Sequence, residues 1–141
     1  MRKVLVATHG RFADGIKETL QFIMGDSCKV EIISAYVSSD FDMEDEARKR
    51  IDELGQDDEL IVAADLFGGS VANIFAEYVQ TGKVHILTGV NLPMLIVLAT
   101  SVDCECSTEE LIHNAQQSAK EGIIYINRVL SESEEAEEEI F

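Results

Sequence analysis

Val4-Leu5-Val6-Ala7 is an unbroken apolar run that stops abruptly at Thr8-His9-Gly10. A half-wet strand would alternate apolar and polar residues. An unbroken run of this length suits a strand covered on both faces, as in a parallel sheet with helices packed above and below. The residues after the run then lie at the carboxyl end of a strand, where open α/β sheets bind their ligands. His9 is the first candidate for chemistry.

The rest of the chain repeats the alternation. Phe12, Ile16, Leu20 and Ile23 recur at helical spacing, which predicts an amphipathic helix from Arg11 to about Met24, ended by Gly25-Asp26. A second strand is predicted over Val30 to Val37. A helix follows, capped by Asp40 or Asp42, bearing Met43, Ala47, Ile51 and Leu54 and stopping at Gly55. Leu60 to Ala64 is a third strand ending at Asp65. Gly68-Gly69-Ser70 leads into a helix through Val71, Ile74, Phe75, Tyr78 and Val79, closed by Gly82. Val84 to Leu87 is a fourth strand, ending at Thr88-Gly89. Asn91-Leu92-Pro93 opens another helix, since proline is favoured in a first turn. Ser107-x-x-Glu110 resembles a capping box for a helix with Leu111, Ile112, Ala115 and Ala119. Ile123 to Ile126 reads as a fifth strand. The expected fold is α/β: a doubly wound, mostly parallel sheet of four strands plus a fifth, C-terminal one, with helices on both faces. One domain is expected over 1–130, followed at 131–141 by an acidic tail with six glutamates, disordered or a frayed helix.

Composition narrows the function. The 141 residues carry 27 acidic and 11 basic side chains, a formal net charge of −16. Such a surface repels nucleic acid and anionic membranes and suits a basic protein partner. No stretch offers the roughly 20 apolar residues of a membrane span. The amino terminus lacks the pattern of a signal peptide, so a cytoplasmic protein is expected. Cys28, Cys104 and Cys106 form no disulfide framework. Cys104-x-Cys106 with His113 falls short of the four ligands of a structural zinc site, so no metal is expected.

Two strand ends matter together. His9 follows the first strand and Asp65 the third, and neighbouring strand ends in a doubly wound sheet share a crevice. A carboxylate hydrogen-bonded to one ring nitrogen fixes the tautomer and frees the other nitrogen as a nucleophile. Gly68, Gly69 and Ser70 at a helix start supply backbone N–H groups suited to phosphate. Each feature alone has a plain structural reading: a loop histidine, a turn cap, a close-packed glycine pair. Together, on the ligand side of the sheet, they point to reversible phosphoryl transfer through phosphohistidine. No nucleotide-binding Gly-x-x-x-x-Gly-Lys-Ser/Thr motif is present, so the phosphoryl group has to come from another protein or a small donor.

Two other readings are weaker. Gly68-Gly69-Ser70-Val71-Ala72 nearly matches the Gly-x-Ser-x-Gly elbow of serine hydrolases, but His9 precedes Ser70 where that fold expects serine, acid, then histidine. A receiver domain of the response-regulator type would need acidic residues after the first strand to hold magnesium, and Thr8-His9-Gly10 stands there instead.

Thr8-His9-Gly10 with Phe12-Ala13-x-Gly15 resembles the IIA components of the mannose family of the bacterial phosphoenolpyruvate-dependent sugar phosphotransferase system. Asp65-Leu66-Phe67-Gly68-Gly69-Ser70 with Asn73, and Gly89-Val90-Asn91-Leu92-Pro93-Met94-Leu95, resemble that family's two other signature stretches. The likeness extends from Lys3 to about Arg128. It implies that His9 accepts a phosphoryl group from phospho-HPr and passes it to a IIB partner, that Asp65 hydrogen-bonds the imidazole, and that Gly68 to Ser70 receive the phosphate. It further implies a homodimer to which the last strand contributes, peripheral association with the membrane permease components, and no metal or organic cofactor. Members commonly carry proline after the serine, where this chain has Val71. The phosphoryl-donor subunit of phosphoenolpyruvate-dependent dihydroxyacetone kinase is also similar, and the Asn91 to Leu95 stretch favours the mannose type.

Overall fold

The computed structural model describes residues 1–140. Strands β1 (Arg2–His9), β2 (Val30–Ala35), β3 (Glu59–Ala64) and β4 (Val84–Leu87) form one sheet in the order β2-β1-β3-β4. All three pairings are parallel. The helices among the described residues are α1 (Phe12–Met24), α2 (Met43–Asp52), α3 (Ser70–Ala76), α4 (Leu92–Ser101), α5 (Thr108–Glu121) and α6 (Ile126–Ile140). A single 3-10 turn at Val79–Thr81 precedes β4.

The uninterrupted apolar run of β1 has a direct physical cause. Successive side chains of a strand point to opposite faces. Val4 and Val6 join Ile61 and Ala63 of β3 in a core closed by α1, α4 and α5. Leu5 and Ala7 join Leu60 and Val62 in a second core closed by α2 and α3. Both faces are dry, so neither parity can be polar until the strand ends.

Chain order creates the crevice. From β1 the chain crosses to β2 on one side, then returns past β1 to β3 on the other. The helices that follow β1 and β3 therefore lie on opposite faces, and the carboxyl ends of the two strands open between them. Ala7 stands opposite Ala64, so His9 and Asp65 emerge side by side just beyond the register.

Local caps hold the turns. The buried Thr8 hydroxyl accepts a hydrogen bond from the Ala13 backbone N–H at 2.8 Å and so starts α1. Asp42, one of the two candidate caps, accepts from the Asp45 N–H at the start of α2. Asn91 accepts from Met94 N–H at 3.0 Å and donates from its amide to the Ala119 carbonyl at 3.0 Å, fastening α4 to the end of α5. A Cβ at Gly122 would stand 2.7 Å from Pro93 Cγ, so this crossing excludes any side chain there.

Three expectations are corrected. No strand forms over 123–126: Ile123–Tyr125 lie exposed off the sheet and Ile126 opens α6. Only four residues separate α5 from α6, too few to run back along β4, and a short apolar run does not by itself distinguish strand from helix. The second strand stops at Ala35, because Tyr36 has a left-handed backbone with φ 65° that cannot continue a ladder. Cys104 and Cys106, read as unpaired, are joined as a disulfide in the turn between α4 and α5, where their Cα atoms lie 5.3 Å apart. Across 131–140 the backbone continues as α6.

Phe75 is fully buried and fills the second core under β1 and β3. Phe75→Ala should cost about 3–5 kcal/mol through lost transfer free energy and the cavity left behind. Urea denaturation should show this as a lower midpoint at unchanged slope. A loss below about 1 kcal/mol would mean that the face between α3 and the sheet closes over the gap.

Candidate active site

His9 is the last residue of β1, and Gly10 turns the chain away behind it at φ 58°. The Gly10 N–H donates to the Ala35 carbonyl at 2.8 Å, which pins this turn to the end of β2. Asp65 follows β3 directly. Its Oδ2 accepts from the His9 backbone N–H at 2.9 Å and from His9 Nδ1 at 3.0 Å, with Oδ1 at 3.3 Å from the same ring nitrogen. A carboxylate has no proton to donate, so Nδ1 must carry one. In the neutral ring Nε2 is then the unprotonated nitrogen.

The Asp65 carboxyl titrates below its ordinary value. Burial raises it, but the hydrogen bonds from the His9 backbone and ring, and the charge of the imidazole, more than offset that. Asp65 is thus ionised wherever the imidazole needs a partner.

Ser70, the first residue of α3, stands on the other side of the ring, with its Oγ 3.3 Å from Nε2. Gly69 lies against the ring edge, and a Cβ there would be 3.2 Å from His9 Cε1. Gly68 has φ 77°, and its carbonyl accepts from the Asn73 side chain at 3.2 Å. The glycine pair therefore does two separate jobs. Gly68 permits the left-handed turn, and Gly69 leaves room for the imidazole. With 41% of its side chain exposed, His9 is open to a partner, while Asp65 behind it is at 18%.

The site residues expected from sequence thus converge on the imidazole, with one distinction. Asp65, Gly69 and Ser70 each lie against His9, whereas Gly68 shapes the turn. The Asn91 to Leu95 stretch contributes to the α4–α5 junction and not to the ring's surroundings. His85 and His113 line a groove between β4 and α5.

Tyr36 was missed, because the run Val30 to Val37 reads as continuous strand. Its hydroxyl lies 2.8 Å from Ser70 Oγ and its ring centroid 5.7 Å from that of His9. The signal available was its place at the carboxyl end of β2, on the same rim as His9. Phe12, Val37, Leu66 and Phe67, close in sequence to the site residues, are also exposed, Phe67 to 88%.

The PTS system fructose IIA component family matches residues 3–116. The chain belongs to that family. A crystal structure of a protein assigned to the phosphoenolpyruvate-dependent sugar phosphotransferase permeases, from Klebsiella pneumoniae, is 36% identical with a TM-score of 0.85, over 92% of this chain and 93% of that one. The phosphotransferase system component EIIA of Streptococcus agalactiae is 27% identical with a TM-score of 0.78, over 91% and 99%. The IIA protein associated with the fucose utilization operon of Streptococcus pneumoniae is 32% identical with a TM-score of 0.72, over 92% and 96%. Family and neighbours together support a phosphotransfer role in sugar transport for this IIA protein. Among the described residues no helix is long and apolar enough to cross a membrane.

Gly69 has an ordinary backbone, φ −75° and ψ 161°, so Gly69→Ala strains nothing except its contact with the ring. The variant should unfold at the wild-type urea midpoint while the His9 Cε1–H resonance shifts and phosphoryl acceptance falls roughly ten- to hundredfold. Wild-type acceptance would mean that the imidazole has slack the contact distance does not suggest.

Proposed function

We propose that His9 is a phosphoryl carrier: it takes the group from phospho-HPr on Nε2 and delivers it to a IIB component during sugar uptake. The observation that carries this reading is the Nδ1-to-Asp65 hydrogen bond, which leaves Nε2 unprotonated on the exposed side of the ring. In the forward step the Nε2 lone pair attacks phosphorus and an N–P bond forms as the donor's N–P bond breaks. The donor imidazole leaves with that electron pair. The His9 ring, still protonated at Nδ1, becomes cationic, and the Asp65 carboxylate neutralises it. Ser70 is near enough to donate to a phosphoryl oxygen, and the Gly68–Gly69 turn gives that group room. Delivery to the acceptor is the same step reversed. Catalysis rests on positioning and charge, so neither metal nor organic cofactor enters.

A protein donor suits the surroundings. The cavity of about 490 Å³ beside α3 and β4 is lined by Phe67, Gly68, Asn73 and Gln116 among others, and His9 is not in its wall. The nucleophile sits on an open rim, Phe12, Val37, Leu66 and Phe67 near the site residues in sequence are exposed, and exposed apolar side chains near a reactive group favour docking of a macromolecule. The net charge of −16 favours a basic one.

The same residues carry a second reading. Ser70 Oγ, His9 and Asp65 stand in the order of a hydrolase triad. Against it, Ser70 starts α3 with an ordinary backbone, lacking the strained strand-to-helix elbow that presents a nucleophilic serine. A serine-reactive phosphonate should leave Ser70 unlabelled. The phosphoryl-donor subunit of a dihydroxyacetone kinase stays the alternative within phosphohistidine chemistry, and dihydroxyacetone kinase subunits in place of IIB as acceptor would select it.

Incubation with phosphoenolpyruvate, Enzyme I and HPr should label the protein with an acid-labile, base-stable phosphate. His9→Ala should abolish the label, and Asp65→Ala should slow it with the fold intact. A label that persists in His9→Ala would overturn the assignment.

We also infer that the protein is a homodimer. Ile123, Ile124, Tyr125, Ile126, Val129 and Leu130 are all at least 49% exposed in one continuous segment after α5, and β4 is an edge strand of the sheet. Sedimentation equilibrium should give twice the 15.6 kDa chain mass. Replacing Ile124 and Ile126 by Asp should shift it to the monomer, and a monomeric wild type would reject the inference.

A further inference from the structure

The hydrogen-bond chain at the imidazole does not stop at Ser70. Tyr36 follows β2, opposite the end of β1, and its hydroxyl is 2.8 Å from Ser70 Oγ. Its ring lies over His9 with centroids 5.7 Å apart and planes tilted by 34°. Phe41 meets the tyrosine ring edge-on, with centroids 5.5 Å apart and planes at 73°. Tyr36 is the one non-glycine residue with positive φ among the described residues, at 65°. A bulky aromatic residue takes that conformation at a cost, and such strain concentrates where surrounding structure uses it.

The direction of the chain follows from its first link. Nδ1 donates to Asp65, so Nε2 can only accept. The single Ser70 proton then points at Nε2, which leaves the Ser70 oxygen free to accept from Tyr36. We propose that Tyr36 is a positioning residue for phosphoryl transfer, acting through Ser70 on the nucleophilic nitrogen of His9. The proposal rests on the carrier reading above.

Before transfer, Tyr36 O–H donates to Ser70 Oγ and Ser70 O–H donates to Nε2. This holds the serine hydroxyl beside the lone pair that will attack. When the N–P bond forms, Nε2 loses its accepting lone pair and the Ser70 proton is released from it. That proton turns to a phosphoryl oxygen a bond length further out, with Tyr36 still donating to the serine and keeping its oxygen in place. No proton leaves the chain in either state. Tyr36 is 49% exposed, so its hydroxyl lies on the rim that a docking donor covers.

Tyr36→Phe keeps the ring stacking and the backbone and deletes one hydroxyl. In the full chain, transfer from phospho-HPr should slow roughly three- to tenfold, the scale of one hydrogen bond. The Nε2 nitrogen resonance of unphosphorylated His9 should shift, while Nδ1 stays protonated. Ser70→Ala should slow transfer as well, and Tyr36→Phe added to Ser70→Ala should change little more, because Tyr36 acts through the serine. Tyr36→Asn, which tolerates left-handed backbone, covers the case in which the phenylalanine variant fails to fold. Wild-type transfer and a wild-type Nε2 resonance in Tyr36→Phe would overturn the proposal, as would fully additive losses in the double variant. If the wild-type protein accepts no phosphoryl group, the carrier reading fails, whereas the ring-nitrogen resonances still judge the role of Tyr36.

Discussion

The Asp65 carboxylate takes two hydrogen bonds from one residue, the backbone N–H and the ring Nδ1 of His9. The first ties the end of β1 to the residue after β3, across the mouth of the sheet. The second orients the imidazole and decides which nitrogen is free. Fold and chemistry therefore share an atom, Oδ2. Removing this carboxylate both loosens the strand ends and lets the ring choose another tautomer, so the two roles have to be separated by measurement.

Around that interaction the site is built from strand ends and short turns. β1 supplies His9, β3 supplies Asp65, β2 delivers Tyr36, and Gly68–Gly69 carry the chain from Asp65 to Ser70. Parallel strands with covered faces hold the framework rigid, as the buried side chains of β1 and β3 on both sides indicate. A rigid floor with an exposed imidazole suits the carrier role proposed for His9, in which it meets two different partners. A deep pocket would shield the proposed phosphohistidine but would also exclude the proposed protein donor. Here the ring is half-open, and its orientation is secured from behind.

Much of this was legible before the structure. The four-strand parallel sheet, the five helices up to α5, and the pairing of His9 with Asp65 follow from apolar runs, helical spacing and polar residues that stand where the runs break off. The serine turn was legible as a site feature, although its glycines turned out to have different tasks. The two misread strand segments share a cause. Tyr36 and the 123–126 segment lie in apolar stretches whose composition suits a strand, and only backbone direction distinguishes a strand from what the chain does there. The Asn91 to Leu95 stretch stands out in sequence as strongly as the His9 motif, yet its hydrogen bonds serve helix packing.

The sequence by itself determined the layers of the fold, because burial on two faces demands unbroken apolar strands and helices demand their own period. It also determined which residues could be nucleophile and partner. Only the tertiary structure decided that Nδ1 rather than Nε2 meets Asp65, that Ser70 stands at the free nitrogen, and that Tyr36 stands behind the serine. Those decisions rest on distances between residues 27 to 61 positions apart in the chain. Local pattern carries no information on such distances, since they arise from the crossing of β2 and β3 to opposite sides of β1.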